Sequence, residues 1–283
     1  MANIRLIKRR IRSVQSTAKI TKAMEMVATS KMRRAQERVL AGRPYAEKLR
    51  QVIADLAAQP GQGVYPLLER REPNRIAIVH ITPDRGLCGG LISNVNRSTG
   101  AFILDQVHPS VLITIGRKGR DFMLRGGREL RAEFTEIGDR PSLLDTLPIS
   151  RIVIQDYTDR VVDAVYLAYT QFVSTMTQRP VVQELLPVEP MVIERPGEIE
   201  YIYEPSSKAV LADLLPRFVE MQVYHAILEA IASEQSARMV AMRNATDNAN
   251  ELIQDLTLTY NKARQEMITK ELLDITGGAE ALT

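Results

Sequence analysis

Residues 1–41 contain neither Gly nor Pro, and residues 217–276 repeat that absence near the other end of the chain. Uninterrupted helices of these lengths would reach roughly 60 Å and 90 Å. Ile4, Ile7, Ile11, Val14 and Ala18 step by alternating threes and fours, the seam of a coiled coil. Beyond it the apolar stripe reads Ile20, Met24, Ala28, Met32, Ala35 and Val39. Those steps are mostly fours, so a local unwinding of the supercoil is expected there. The first punctuation is Gly42-Arg43-Pro44. In the second stretch Met242, Ala245, Ala249, Leu252, Leu256 and Ala263 fit the same alternation, with polar Thr259 at the missing position. Gly277-Gly278 is expected to end that helix, because glycine accepts a left-handed backbone. Helices this long exceed what a compact domain covers, and each carries a stripe needing a mate. The economical solution is that each is the other's mate, in a long antiparallel two-helix coiled coil.

Between the ends the texture changes. Arg75–Ile81 and Val111–Ile115 are short β-branched runs closed by turn residues, and read as buried strands. Leu91–Val107 reads as helix, weakened at Gly100, and a further helix lies within Ser142–Tyr157. Val162–Ser174 supplies a third apolar run. Strand, helix, strand, helix, strand predicts a small Rossmann-like α/β domain with a parallel sheet. Pro180 and the Pro187–Pro205 stretch read as edge strand and returning loop. The expected division is 1–58 for the N-terminal coiled-coil helix, 73–190 for the central domain and 208–283 for the C-terminal helix.

Chemistry-bearing signals are few. Pro83-Asp84-Arg85-Gly86-Leu87-Cys88-Gly89-Gly90 joins a strand to a helix, where α/β proteins often hold phosphate. It matches neither GxGxxG nor the P-loop, so a tight turn is the expected role. A lone cysteine, Cys88, excludes an intramolecular disulfide, and reads as a small packed residue rather than a reactive thiol. His80, His108 and His225 fall in a strand, a turn and a helix without metal-ligand spacing. No nucleophile signature such as GxSxG appears. The expectation is no catalytic residue, no cofactor and no metal.

Charge is distributed unevenly. Residues 1–41 hold 11 Lys/Arg against Glu25 and Glu37, a local charge of about +9, whereas residues 217–276 carry about −3. A basic helix can follow a nucleic-acid backbone, lie on an anionic membrane or run beside acidic protein. Its seam is narrow and alanine-rich, unlike the bulky apolar face of an interfacial helix. No apolar run approaches the roughly 20 residues of a membrane-spanning helix. The Arg-rich N-terminus lacks the break of a cleavable presequence, so a targeting segment is not expected. Composition leaves nucleic acid and protein both open as partners.

Longer blocks narrow the choice. Ile20-Thr21-Lys22-Ala23-Met24-Glu25-Met26-Val27-Ala28, followed by Ser30-Lys31-Met32, resembles the N-terminal helix of the F-type ATP synthase gamma subunit family. Asp84-Arg85-Gly86-Leu87-Cys88-Gly89-Gly90 is similar to that family's central loop. Ser233–Met242, Asn261-Lys262-Ala263-Arg264-Gln265 and Ile268-Thr269-Lys270-Glu271-Leu272 resemble its C-terminal helix. The resemblance therefore covers essentially the whole chain.

This resemblance implies a single-copy rotor shaft within a ring of three alpha and three beta subunits, its foot domain beside epsilon and the c-ring. It implies that proton-driven rotation is coupled to change at beta's catalytic sites, with no catalytic site on the shaft and no nucleic-acid partner. By similarity, Lys22 and Met24 pass the acidic lever segment of beta. Arg264, Gln265 and Thr269 match positions that contact beta loops, and Tyr201, Tyr203 and Glu204 match the segment facing the c-ring. Plant-type members carry an inserted cysteine pair, which is missing here. The resemblance then implies a bacterial enzyme, peripheral on the cytoplasmic side of the plasma membrane, with membrane contact only through the complex.

Overall fold

The computed structural model describes residues 4–57, 65–189, 203–204 and 206–280. The chain falls into two compact units, Thr29–Arg238 and the pair Met1–Ala28 with Met239–Thr283. Two helices contribute to both: α1, Ile4–Ala57, and α5, Ser207–Glu280. At about 1.5 Å per residue they measure roughly 80 Å and 110 Å. Both run past their expected punctuation. Pro44 and Pro216 lie inside them, and Gly277-Gly278 does not end α5, which continues to Glu280. Glycine permits a left-handed cap without demanding one, at a cost of about 1 kcal/mol when it stays helical.

The larger unit holds a five-stranded sheet. Its elements are β1 (Ile76–Ile81), α2 (Leu91–Asp105), β2 (Ser110–Ile115), α3 (Arg117–Arg125), β3 (Leu130–Phe134), α4 (Leu143–Thr158), β4 (Ala164–Phe172) and β5 (Gln178–Leu186). Strand order is β3-β2-β1-β4-β5, with the first four parallel and β5 antiparallel to β4. The expected α/β class is therefore observed. α3 and β3 are additions to the sequence reading. Gly119 and five charges obscure the first as a helix, and LRAEF is too short and polar to read as a strand. Gly119 is needed there, since a Cβ would lie 2.6 Å from the His80 ring. Pro180 lies in β5, an edge strand, where its missing N–H costs no ladder bond.

Alternation along β1 sorts the core into two layers. Ala77, Val79 and Ile81 face a cluster that includes Ile149 and Val153 of α4, Leu49 and Ile53 of α1, and Leu211 and Val223 of α5. Ile76 and Ile78 face the other side, with Ile103 of α2 and Met123 of α3. Every residue of β1 is buried, as a parallel strand covered on both faces requires. α4 begins where the Asp145 carboxylate accepts the backbone N–H and the hydroxyl of Ser142, an N-terminal cap. Within this unit Gly42 lets α1 lie close to α5, because a Cβ would stand 2.4 Å from Cε1 of His225.

The smaller unit is a helix pair. Thr21 and Thr246 share a hydrogen bond of 2.7 Å, and Arg243 donates to Glu25 at 3.0 Å. Rising numbers on α1 meet falling numbers on α5, so the pair is antiparallel, as expected. Its register corrects the expected stripe. Ile20 is 60% exposed, whereas Thr21 and Glu25 are buried. Between Ala18 and Val39 the buried positions of α1 are 18, 21, 25, 28, 32, 35 and 39, an unbroken alternation of threes and fours. The expected local unwinding has no basis in that pattern. On α5 the seam runs through Met239, Met242, Thr246, Ala249, Ile253, Leu256, Tyr260 and Ala263. Leu252 and Thr259 are exposed and Ala245 sits on the flank. Two threonines and a glutamate in the seam misled a reading that followed hydrophobicity.

Candidate partner-binding surfaces

A doubly wound sheet usually holds ligands beyond its strand ends, where the strand order reverses. Here that point lies between β1 and β4, and the chain fills it with its own helix. Ser233 donates to the carbonyl of Thr170, Ser236 to that of Thr175, and Arg238 to that of Gly86. Arg238 also pairs with Glu234 at 2.7 Å. Burial raises the Glu234 carboxyl above the ordinary range, while Arg238 opposes the rise. The space left is a cavity of about 50 Å³ lined by Thr82, Asp84, Gly116 and Glu234 among others, far below the few hundred Å³ of a nucleotide pocket.

The Asp84–Gly90 loop is a structural turn, as expected. Asp84 accepts the backbone N–H groups of Arg117 and Glu136, tying together the loops after β1, β2 and β3. Leu87 and Gly89 have positive φ, 65° and 59°. Cys88 is buried, and burial pushes its thiol up, away from reactivity. His80 donates through Nε2 to Oδ1 of Asn96, and its Nδ1 lies 3.1 Å from the Thr99 hydroxyl. Burial lowers its pKa to about 4, so it is a neutral core histidine. Among the described residues no three His, Cys, Asp or Glu side chains are grouped to hold a metal. Two larger grooves, about 310 and 250 Å³, meet at Arg50, Gln183 and Gln222. They are mixed in polarity, and the larger is lined by Glu47, Tyr169, His225 and Glu229 among others.

What remains is surface. The Lys22 side chain is 53% exposed and pairs with Glu25 at 3.0 Å, while Met24 beside it is half-buried. Arg264, Gln265 and Thr269 are fully on the surface of α5. With Thr21 opposite Thr246, Arg264 stands near the level of Ile4, so the two groups lie at heights roughly 27 Å apart on the helix pair. Tyr203 packs partly against the main core and Glu204 is exposed. Tyr201 lies outside the described residues.

From Arg264 to Thr276 every residue of α5 is exposed, including Met267, Ile268, Leu272, Leu273 and Ile275. α1 offers no described residue opposite them. Apolar side chains in this number on one bare helix mark a surface that something else covers. No helix among the described residues is long and apolar enough to cross a membrane.

Comparison with known proteins gives one answer along the whole chain. The family model described as ATP synthase matches residues 3–282. The ATP synthase gamma chain of Dehalococcoides mccartyi is 64% identical over 284 residues, covering all of both chains. Among solved structures, a chain of the central stalk and c-ring of the Tetrahymena thermophila mitochondrial ATP synthase is 27% identical, with a TM-score of 0.60, covering 80% of this chain and 99% of that one. A chain from the Euglena gracilis mitochondrial ATP synthase, in an OSCP/F1/c-ring structure, superposes over 99% of this chain and 94% of its own, with a TM-score of 0.71 at 22% identity.

Proposed function

We propose that this chain, which belongs to the ATP synthase gamma-chain family, is the rotor shaft that couples proton-driven rotation of a membrane ring to conformational change at catalytic sites on beta subunits. The observation that carries the reading is the bare apolar end of α5, Arg264 to Thr276, in a chain matched along its length by that family. Such an end fits a shaft that finishes inside a sleeve formed by three alpha and three beta subunits. The segments 1–58 and 208–283 supply the shaft, and 73–190 supplies the domain that meets epsilon and the c-ring. The chain contributes no catalytic group of its own; it belongs to a complex held peripherally on the cytoplasmic side of a bacterial membrane.

The mechanism is differential contact. A shaft changes a surrounding subunit only if one orientation favours one conformation of that subunit over another. Lys22 and Met24 meet the acidic lever segment of beta at one height, and Arg264, Gln265 and Thr269 meet beta loops at another. Tyr203 and Glu204, with Tyr201, face the c-ring. Exposed ion pairs are individually weak and screened by salt. Steric pushing by a stiff helix pair therefore carries more torque than any single basic residue.

Cysteine crosslinking in the assembled complex tests this. Met24→Cys and Arg264→Cys are expected to crosslink to beta, and loss of both crosslinks in an intact complex overturns the docking. Replacing the exposed basic residues of 1–41 by Gln is expected to weaken torque less than removing 264–283. The reverse order would show that charge drives the coupling. A basic coiled coil that binds nucleic acid would instead give salt-sensitive DNA binding without an ATPase partner.

A further inference from the structure

Coiled coils with uniformly aliphatic seams can slide by whole heptads, because each apolar layer looks like the next. The seam of the smaller unit is of this kind over most of its length. On α1 it presents Ile4, Ile7, Ile11, Val14 and Ala18, and on α5 Ala249, Ile253, Leu256, Tyr260 and Ala263. A shift of seven residues would keep apolar against apolar in nearly all of these layers. Among the described residues of this unit, one stretch breaks the degeneracy. Thr21 faces Thr246 across the seam, and the next layer holds Glu25, whose side chain is only 7% exposed.

Glu25 is satisfied from both sides. Lys22 donates to Oε2 at 3.0 Å, and Arg243 reaches across from α5 to Oε1 at 3.0 Å. These cations, Lys22 first, hold the carboxyl below its ordinary range, so it is ionised at neutral pH. A shift of seven residues toward the end of α5 would set Thr21 against Ile253 and Glu25 against Asn250. A shift the other way would set Thr21 against Met239. Either leaves a seam carboxylate without the guanidinium that crosses to it. Losing one partner of a buried charge is costly even where making the pair gains little net stability. The polar layers therefore discriminate between registers that the aliphatic layers cannot tell apart.

We infer that Thr21–Thr246 and Glu25–Arg243 form a register lock, whose role is to hold the two helices of the pair at one axial alignment. The inference stands on the helix pair alone. Under the rotary reading it has a mechanical consequence, because twisting an antiparallel pair shears its helices past each other, and a fixed alignment resists that shear.

Disulfide trapping in the full-length chain reads the alignment directly. Ala18→Cys with Ala249→Cys reports the observed register. Ala18→Cys with Leu256→Cys, or with Met242→Cys, reports a one-heptad slide in either direction. Native Cys88 is buried and belongs to the other unit, so it does not compete. With the lock intact, only the 18/249 pair is expected to close. In a background carrying Thr21→Val, Glu25→Leu and Thr246→Val, closure of a slid pair is expected to rise by about tenfold or more, the shift that follows when the buried charge no longer discriminates. Helix content should be unchanged. Persistence of 18/249 as the sole product would overturn the lock and assign the register to packing elsewhere. If the triple variant does not fold, Glu25→Gln alone keeps the shape and removes the charge. A smaller rise in a slid pair then supports the lock, and no rise sinks it. None of these outcomes depends on whether the chain turns inside a ring.

Discussion

The two compact units bury their side chains in opposite ways. In Thr29–Arg238 the sheet is covered on both faces, and Ile78, Val79, Leu112, Ile113, Val165 and Leu167 are inaccessible to solvent. In the helix pair the seam is one side chain deep: Ala18, Thr21, Thr246 and Ala249 are buried but each stays 8% exposed, and Ile253, Leu256 and Tyr260 are only partly buried. The first unit carries its own core. The second draws little from hydrophobic burial, since helices mostly owe their stability in proteins to a packed face, and beyond Ala263 α5 has none. A unit of the second kind has more to gain from whatever covers its exposed apolar side chains.

Four measurements would break or sharpen this contrast. Amide hydrogen exchange reads each unit separately within the full chain. The largest effect is expected from Gly116→Ala. Gly116 has φ of 90°, and a Cβ there would lie 1.9 Å from the carbonyl oxygen of Thr82, a backbone atom that cannot yield. A loss of about 4 kcal/mol or more in the sheet unit follows. Unaltered protection of β1 and β2 in that variant would show that the sheet can rearrange.

A core truncation compares the units at matched chemistry. Leu167→Ala is expected to cost about 3.5 kcal/mol in the sheet, and Ile253→Ala about 1 kcal/mol in the seam, because partly exposed sites leave little cavity behind. Equal costs would mean that the seam is packed as tightly as the sheet. Acid should also act on the two units in different windows. His80 has its folded pKa depressed from 6.5 to about 4. The unfolded chain therefore takes up a proton that the fold refuses, and the sheet loses roughly 3 kcal/mol as pH falls from 6.5 to 4, levelling off below. Glu25 is a depressed carboxylate. Its contribution is complete above 4.5 and disappears only as pH falls through its lower folded value. If the helix pair loses protection before the sheet near pH 5.5, the comparison is wrong. At the small end, Arg33→Gln removes an exposed pair with Glu37 and should change stability by about 0.5 kcal/mol or less.

Much of the fold was legible because its signals are local. The absence of Gly and Pro, the alternating apolar steps and the β-branched runs Ile76–Ile81 and Val111–Ile115 each act through neighbours in sequence. The helices, the parallel strands and the role of the Asp84–Gly90 turn follow from them. α3 and β3 escaped because their charged faces and short lengths resemble loop, and only the sheet edge gives them a reason to form. The candidate surfaces divide similarly. Lys22, Arg264 and Gln265 were named from motif blocks, whereas Arg243 and Thr246, which meet α1 across the seam, carry no local mark.

The two long helices were determined by sequence alone, as was the basic charge of the first. Which residues lie between them was not. Hydrophobicity favoured Ile20 and Leu252, yet the structure places Thr21, Glu25, Thr246 and Ile253 at the seam. The physical reason is that a polar side chain can occupy a buried layer when a partner on the opposite helix satisfies it. That partner lies more than 200 positions away. Its presence is a fact of tertiary structure, invisible to any window along the chain.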